Sequence, residues 1–144
     1  DLPLYRSMLQ SAKMIAIVGL SPKPGRDSHH VAQYLQEQGY RIVPINPSAT
    51  EGLGERSWPS LTEAAKHHRI DLVDVFRDSA AVPPIADEAI AIGARALWLQ
   101  IGVCHDEALA KAQAAGLEVV QDRCTLVEHQ RLRSAGLLAA GTPQ

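Results

Sequence analysis

Five short aliphatic runs recur through the chain, and their rhythm constrains the fold more than any other feature. Met14–Val18, Arg41–Ile45, Asp71–Phe76, Ala94–Leu99 and Leu117–Gln121 begin 27, 30, 23 and 23 residues apart, the spacing of strand–helix–strand units. The runs are continuous in Val, Ile and Leu rather than strictly alternating, as a parallel sheet covered on both faces requires. With 144 residues, 46% of them hydrophobic, the chain can build one substantial core but not two. The expectation is a single α/β domain around a doubly wound, five-stranded parallel sheet.

Helix signals fill the intervals. Ser28 is placed to cap a helix running to about Gln38, with Val31, Tyr34 and Leu35 on one face. Ser60 with Glu63, and Thr125 with Glu128, have the spacing of capping boxes. Pro83–Pro84 can open a helix that carries Ile85, Ala89 and Ile92 at helical spacing. The Ala-rich stretch from Asp106 to Ala115 ends at Gly116; Gly39 and Gly93 stop two other helices in the same way. A short helix is expected at Leu4 to Ala12, so residues 1–12 form an N-terminal helical segment and 13–133 the domain. Residues 134–144, rich in small residues, are expected to form a loosely packed, flexible tail. The first residue is Asp1 rather than Met, which leaves room for native residues before it.

Charge and composition narrow the partners. Fourteen Lys+Arg against sixteen Asp+Glu give a net charge of −2, which argues against a broad electrostatic grip on nucleic acid or a membrane surface. The apolar stretch from Ala86 to Val103 is broken by Asp87, Glu88, Arg95 and Gln100, too often for a membrane span. No signal pattern opens the chain. Cys104 and Cys124 are the only cysteines, too few for a disulfide scaffold, which points to a reducing, cytoplasmic setting.

Ligands of open parallel sheets bind beyond the carboxyl ends of the strands. The residues there are Gly19-Leu20-Ser21-Pro22-Lys23-Pro24-Gly25-Arg26, then Asn46-Pro47, Arg77-Asp78, Gln100-Ile101-Gly102 and Asp122-Arg123-Cys124. Gly19 lets the backbone approach a phosphate, Ser21 adds a hydroxyl, and Lys23 and Arg26 add cations before a helix N-terminus. Arg77 and Arg123 extend this local basic edge. The dinucleotide fingerprint is absent: Ser21 stands where its second glycine belongs, and uncharged Asn46-Pro47 ends the second strand where NAD needs a carboxylate. A nucleotide with an extra phosphate fits better, either the 2′-phosphate of NADP or the 3′-phosphate of coenzyme A.

From Gly19 through Ser28 the sequence resembles the opening of the stand-alone CoA-binding domain proteins, which are similar to the CoA-binding domain of the succinyl-CoA synthetase α subunit. Ile45-Asn46-Pro47, Val73-Asp74-Val75-Phe76-Arg77, Trp98-Leu99-Gln100-Ile101-Gly102 and Asp122-Arg123-Cys124 with Glu128-His129 fit the same pattern. The resemblance covers about 13–132. It implies a Rossmann-like domain that binds coenzyme A or acyl-CoA through Gly19, Leu20, Ser21, Lys23, Arg26, Asn46, Pro47, Phe76, Arg77, Gln100, Gly102 and Cys124. The first loop would hold the phosphates, and Asn46-Pro47 and Phe76–Arg77 would lie along the adenine and the pantetheine. The chain has no room for the other domains of a synthetase, so binding without catalysis is expected, with a small-molecule partner and no named protein partner. The alternatives are the CoA-site subunit of a split acyl-CoA synthetase, an NADP-binding oxidoreductase or redox sensor, and an interaction module with a vestigial cleft.

Other residues carry weaker signals. Cys124 follows Arg123 at the start of the last helix, a setting that lowers a thiol pKa. It reads either as a thiol facing the pantetheine, able to form a mixed disulfide with CoA, or as a small buried residue. Cys104 reads as structural. No histidine spacing fits a metal site; His29 or His30 could reach a phosphate, and His129 reads as a hydrogen-bonding residue within the fold. Trp98 reads as core, Asp74 as an acceptor for nearby donors, and Gln100 as a polar strand end available to a ligand. Neither a Ser–His–Asp set nor a G-x-S-x-G elbow can be assembled.

Overall fold

The computed structural model describes residues 1–138. Asp1 caps the first helix through its side chain, which accepts from Leu4 N–H at 3.2 Å, so α1 (Leu2–Ser11) starts earlier than expected. The five aliphatic runs become β1 (Met14–Val18), β2 (Arg41–Ile45), β5 (Leu72–Val75), β6 (Ala96–Leu99) and β7 (Glu118–Val120) of one sheet. Every pairing in it is parallel, in the order β2-β1-β5-β6-β7. The chain builds outward from β1 to β2 and then crosses to the other side, so the reversal falls between β1 and β5. This is the expected doubly wound, Rossmann-like architecture.

The later strands are trimmed because their first residues still close the preceding helix. Ala94 N–H donates to Ala89 O and Leu117 N–H to Ala112 O, the six-to-one bonds that finish α4 (Val82–Ala91) and α5 (Asp106–Ala114). Asp71 does other work: its Oδ2 accepts from the amides of Lys13 and Met14, both at 2.9 Å, and ties the entrance of β5 to that of β1.

Alternate strand residues serve two cores. Ile15, Ile17, Leu72 and Trp98 pack under α1, α2 (Asp27–Glu37) and α6 (Thr125–Ser134). Ala16, Val18, Val73, Leu97 and Leu99 pack under α3 (Leu61–Ala64), α4 and α5. Trp98 is fully buried, with its indole N–H donating to Arg123 O at 2.8 Å, a core residue as expected. A small hairpin, β3 (Glu51–Gly52) with β4 (Glu55–Arg56), was not foreseen. Trp58 follows it and pairs with Ile45 along the outer edge of β2, the side on which Pro44 is tolerated because an edge strand needs fewer donors.

Two expected caps are corrected. Arg26, not Ser28, is the N-cap of α2, and no side chain caps that helix. Ser28 lies inside the first turn, where its Oγ accepts from Ser21 N–H at 2.9 Å. Likewise Cys124 is the N-cap of α6, and the Thr125 hydroxyl donates to Asp74 Oδ2 at 2.9 Å instead of capping. Ser60 does cap α3 through Glu63 N–H, at 3.1 Å. The tail expected from 134 onward lies partly outside the described residues, at 139–144. Within them Leu138 is buried, and Arg6 Nε donates to Leu137 O at 3.1 Å.

Candidate functional site

The carboxyl ends of β1, β2 and β5 converge at the reversal of strand order, where α/β sheets place their ligands. Gly19 leaves β1 with φ +90° and donates to Ile45 O at 2.8 Å, while Phe76 N–H donates to Val18 O at 2.8 Å. The result is a low ridge of Gly19, Phe76 and Arg77, with a cleft on each side. The larger, about 630 Å³, runs from the start of α2 to the loop after β6. The smaller, about 430 Å³, lies between the β2 exit and the α3–α4 pair.

Most of the expected residues meet here. Gly19, Ser21, Arg26, Phe76, Arg77, Gln100 and Gly102 line the larger cleft, and Asn46 and Pro47 line the smaller. The β1–α2 loop is braced by its own polar groups: Ser21 N–H donates to Ser28 Oγ, and Lys23 N–H donates to Ser21 Oγ at 3.2 Å. Among the described residues the Ser21 hydroxyl donates to no partner. At the same end α2 begins without a side-chain cap, leaving first-turn N–H groups and the positive end of the helix dipole toward the cleft. Among the described residues Lys23, Arg26, Arg77 and Arg123 enter no ion pair. Asp27 and Asp78 line the same cleft and moderate its positive charge.

The structure places four of the expected residues differently. Leu20 is 1% exposed and belongs to the core; only its carbonyl faces the site, accepting from Asn46 Nδ2 at 2.9 Å. Gln100 reaches the cleft wall, but its amide nitrogen points inward, donating to Asp74 Oδ1 at 2.6 Å and to Thr125 Oγ1 at 2.9 Å. Cys124 lines neither cleft, and burial pushes its thiol pKa up, outweighing the helix amides of Val127 and Leu126 that pull it down. Arg123 does not assist it, because its guanidinium turns to Asp122 O at 2.7 Å. Lys23 is exposed on the loop, outside the lining.

Cys104, expected to be structural, is instead the exposed thiol. Iodoacetamide at neutral pH should alkylate Cys104 about tenfold faster than Cys124, since thiolate fraction and access set the rate. Peptide mapping over time checks this; equal rates would mean that burial does not restrain Cys124.

Two groups are buried in the fold, Asp74 under the cleft wall at Gln100 and His129 between α6 and α2. Asp74, in the middle of the sheet, has no exposed surface, and burial pushes its carboxyl up to about 7 against the pull of Gln100 and Thr125. His129 is also fully buried. Its Nδ1 pairs with the Tyr34 hydroxyl at 2.8 Å, and burial, helped by Arg133, lowers its pKa to about 4. The in-fold hydrogen bond expected of His129 is present. His29 and His30 line neither cleft, and among the described residues no cluster of ligands suits a metal. No helix among them is long and apolar enough to cross a membrane.

Several residues of this surface were not assigned to the site from the sequence, although Ile101 was placed at its strand end. Ile101, 67% exposed, stands at the rim of the larger cleft beside Gly102, whose N–H donates to Asp122 Oδ1 at 2.8 Å. Ser79 lines the same cleft, and Ile85 and Glu88 line the smaller. Ile85 was legible only as a helix position and Glu88 only as a charge that breaks the apolar stretch.

Known proteins share the sequence pattern and the fold. Residues 13–130 match the family described as CoA binding domain. The Bacillus subtilis protein YneT is 40% identical over 124 residues, which cover 86% of this chain and 90% of that protein. A solved structure of a hypothetical protein from Pyrococcus horikoshii superposes with a TM-score of 0.87 at 38% identity, covering 92% of each chain. A Thermus thermophilus structure gives 0.85 at 39% identity, covering 92% of this chain and 98% of the other.

Proposed function

Because the chain belongs to the CoA binding domain family, we propose that it binds coenzyme A or an acyl-CoA across the ridge at the carboxyl ends of β1, β2 and β5. The observation that carries this reading is the uncapped start of α2 on the larger cleft, lined also by Arg26 and Arg77, neither of them in an ion pair among the described residues. Free N–H groups, a dipole end and two guanidinium groups suit a pyrophosphate. The adenosine then occupies the smaller cleft beside Asn46-Pro47. The pantetheine follows the larger one past Phe76 and Arg77 toward Gly102 and Ile101. The protein acts by binding, without catalysis of its own, in a reducing cytoplasm where Cys104 and Cys124 stay free.

Calorimetry with CoA, dephospho-CoA, NADP and NAD tests the reading. CoA is expected to bind most tightly, with dephospho-CoA about tenfold weaker for loss of charge-assisted hydrogen bonds to the 3′-phosphate. The Lys23→Ala/Arg26→Ala double variant should bind the two ligands alike. Tight NADP binding with none of CoA would turn the assignment to a reductase or redox sensor. Binding of CoA only in the presence of a second chain would turn it to a split synthetase.

A further inference from the structure

We infer that Glu88 selects the base, its carboxylate accepting the exocyclic amine of adenine in the smaller cleft and excluding a base that carries a carbonyl there. The inference rests on the CoA reading above and assigns the group that gives that site its base specificity.

The polar groups of the smaller cleft are mostly spent on the fold. Asn46 uses Nδ2 on Leu20 O and Oδ1 on Ser48 N–H, each at 2.9 Å. Ser60 Oγ accepts from Glu63 N–H. Pro47, Pro59 and Ile85 contribute apolar surface that suits the faces of a flat ring. Among the described residues Glu88 is the only carboxylate in the lining, one helical turn from Ile85 on α4.

That carboxylate is held in place by one oxygen. Glu88 Oε2 accepts from Thr62 N–H at 3.1 Å and from Thr62 Oγ1 at 2.6 Å. Two donors on one oxygen orient the group, and among the described residues Oε1 takes part in no hydrogen bond or ion pair. An ionised carboxylate only accepts. Adenine offers an amine to such an acceptor, whereas hypoxanthine and guanine offer a carbonyl oxygen that the carboxylate repels. A clasp between α3 and α4 would explain the contacts of Oε2 alone; the apolar setting and the second oxygen make the residue a base reader as well.

The test compares CoA with its hypoxanthine analogue by calorimetry on the full chain. Wild type is expected to bind CoA about tenfold or more tightly than the analogue. In Glu88→Gln the amide oxygen can serve Thr62 while the NH₂ group faces the base, so CoA weakens about tenfold and the preference reverses. Thr62→Val keeps the carboxylate and should keep the preference for CoA, whatever its effect on melting temperature. Equal affinity of wild type for the two ligands overturns the inference, and so does an equal loss of both in Glu88→Gln. Should Glu88→Gln fail to fold, Glu88→Ala, which removes the acceptor without adding a donor, should bind the two ligands alike, and a kept preference for CoA overturns the inference. If wild type binds neither ligand, the CoA reading itself has failed, and the selectivity assigned to Glu88 falls with it.

Discussion

Replacing Gly19 with alanine is expected to cost about 2–4 kcal/mol of stability and to abolish measurable CoA binding. The residue has φ +90°, where a side chain is already strained, and an added Cβ would stand 2.6 Å from the backbone oxygen of Phe76. Neither partner can move away cheaply. Gly19 N–H is bonded to Ile45 O and Phe76 N–H to Val18 O, so β1, β2 and β5 are all pinned at this point. Relief requires parting the strands that form the ridge, and the proposed pyrophosphate site goes with them. Gly25→Ala is the matched control: φ is +96° but nothing lies within 4 Å of its added Cβ. Only backbone strain applies there, about 1 kcal/mol. Urea denaturation of both variants measures the difference. Equal losses would show that the contact with Phe76 is not what demands glycine.

Asp74→Asn is expected to gain stability relative to wild type as pH rises, by a ceiling of about 4 kcal/mol between pH 4 and 8. Burial lifts the Asp74 carboxyl from 3.8 to about 7. Between those values the folded protein holds a proton that the unfolded chain has lost, so wild-type stability falls as pH rises through this window. His129 has the opposite effect. Its pKa falls from 6.5 to about 4 on folding, so the unfolded chain binds the extra proton and stability rises with pH across that range. In wild type the two slopes nearly cancel between pH 4 and 6.5. The asparagine variant keeps only the His129 slope, at a modest cost at low pH because the Thr125 hydroxyl loses an acceptor. Urea midpoints at pH 4.5 and pH 8 give the result. A gap between variant and wild type that stays constant across both would mean that Asp74 ionises normally in the folded state.

The strands were legible because a buried parallel strand needs a continuous aliphatic run, and a run long enough to count is visible in one dimension. Their ends were less so: Ala94 and Leu117 look like strand residues but complete helix closures five residues back. Capping signals failed for a related reason. Ser28 and Thr125 have the right chemistry for caps, yet a hydroxyl goes to whichever partner the fold brings near, here Ser21 N–H and Asp74. The hairpin at 51–56 has no aliphatic run at all, and Leu53 at its turn takes a left-handed φ of 52° that leucine composition does not suggest.

By itself the sequence determined the order and type of the main elements, the strand ends that bear the candidate site, and the loop chemistry that suits a phosphate. Each of these is carried by neighbours within a few turns, through periodicity, turn residues and adjacent charges. Only the tertiary structure decided the direction of individual polar groups. Gln100 turns its amide nitrogen away from the cleft because Asp74, 26 residues away, and Thr125, 25 residues away, make a buried pair for it. Glu88 becomes a candidate base reader because Thr62, 26 residues back, occupies one of its oxygens. Local sequence dictates which groups a chain possesses; desolvation makes each buried group take a partner, and the partner is chosen by the packing of distant segments.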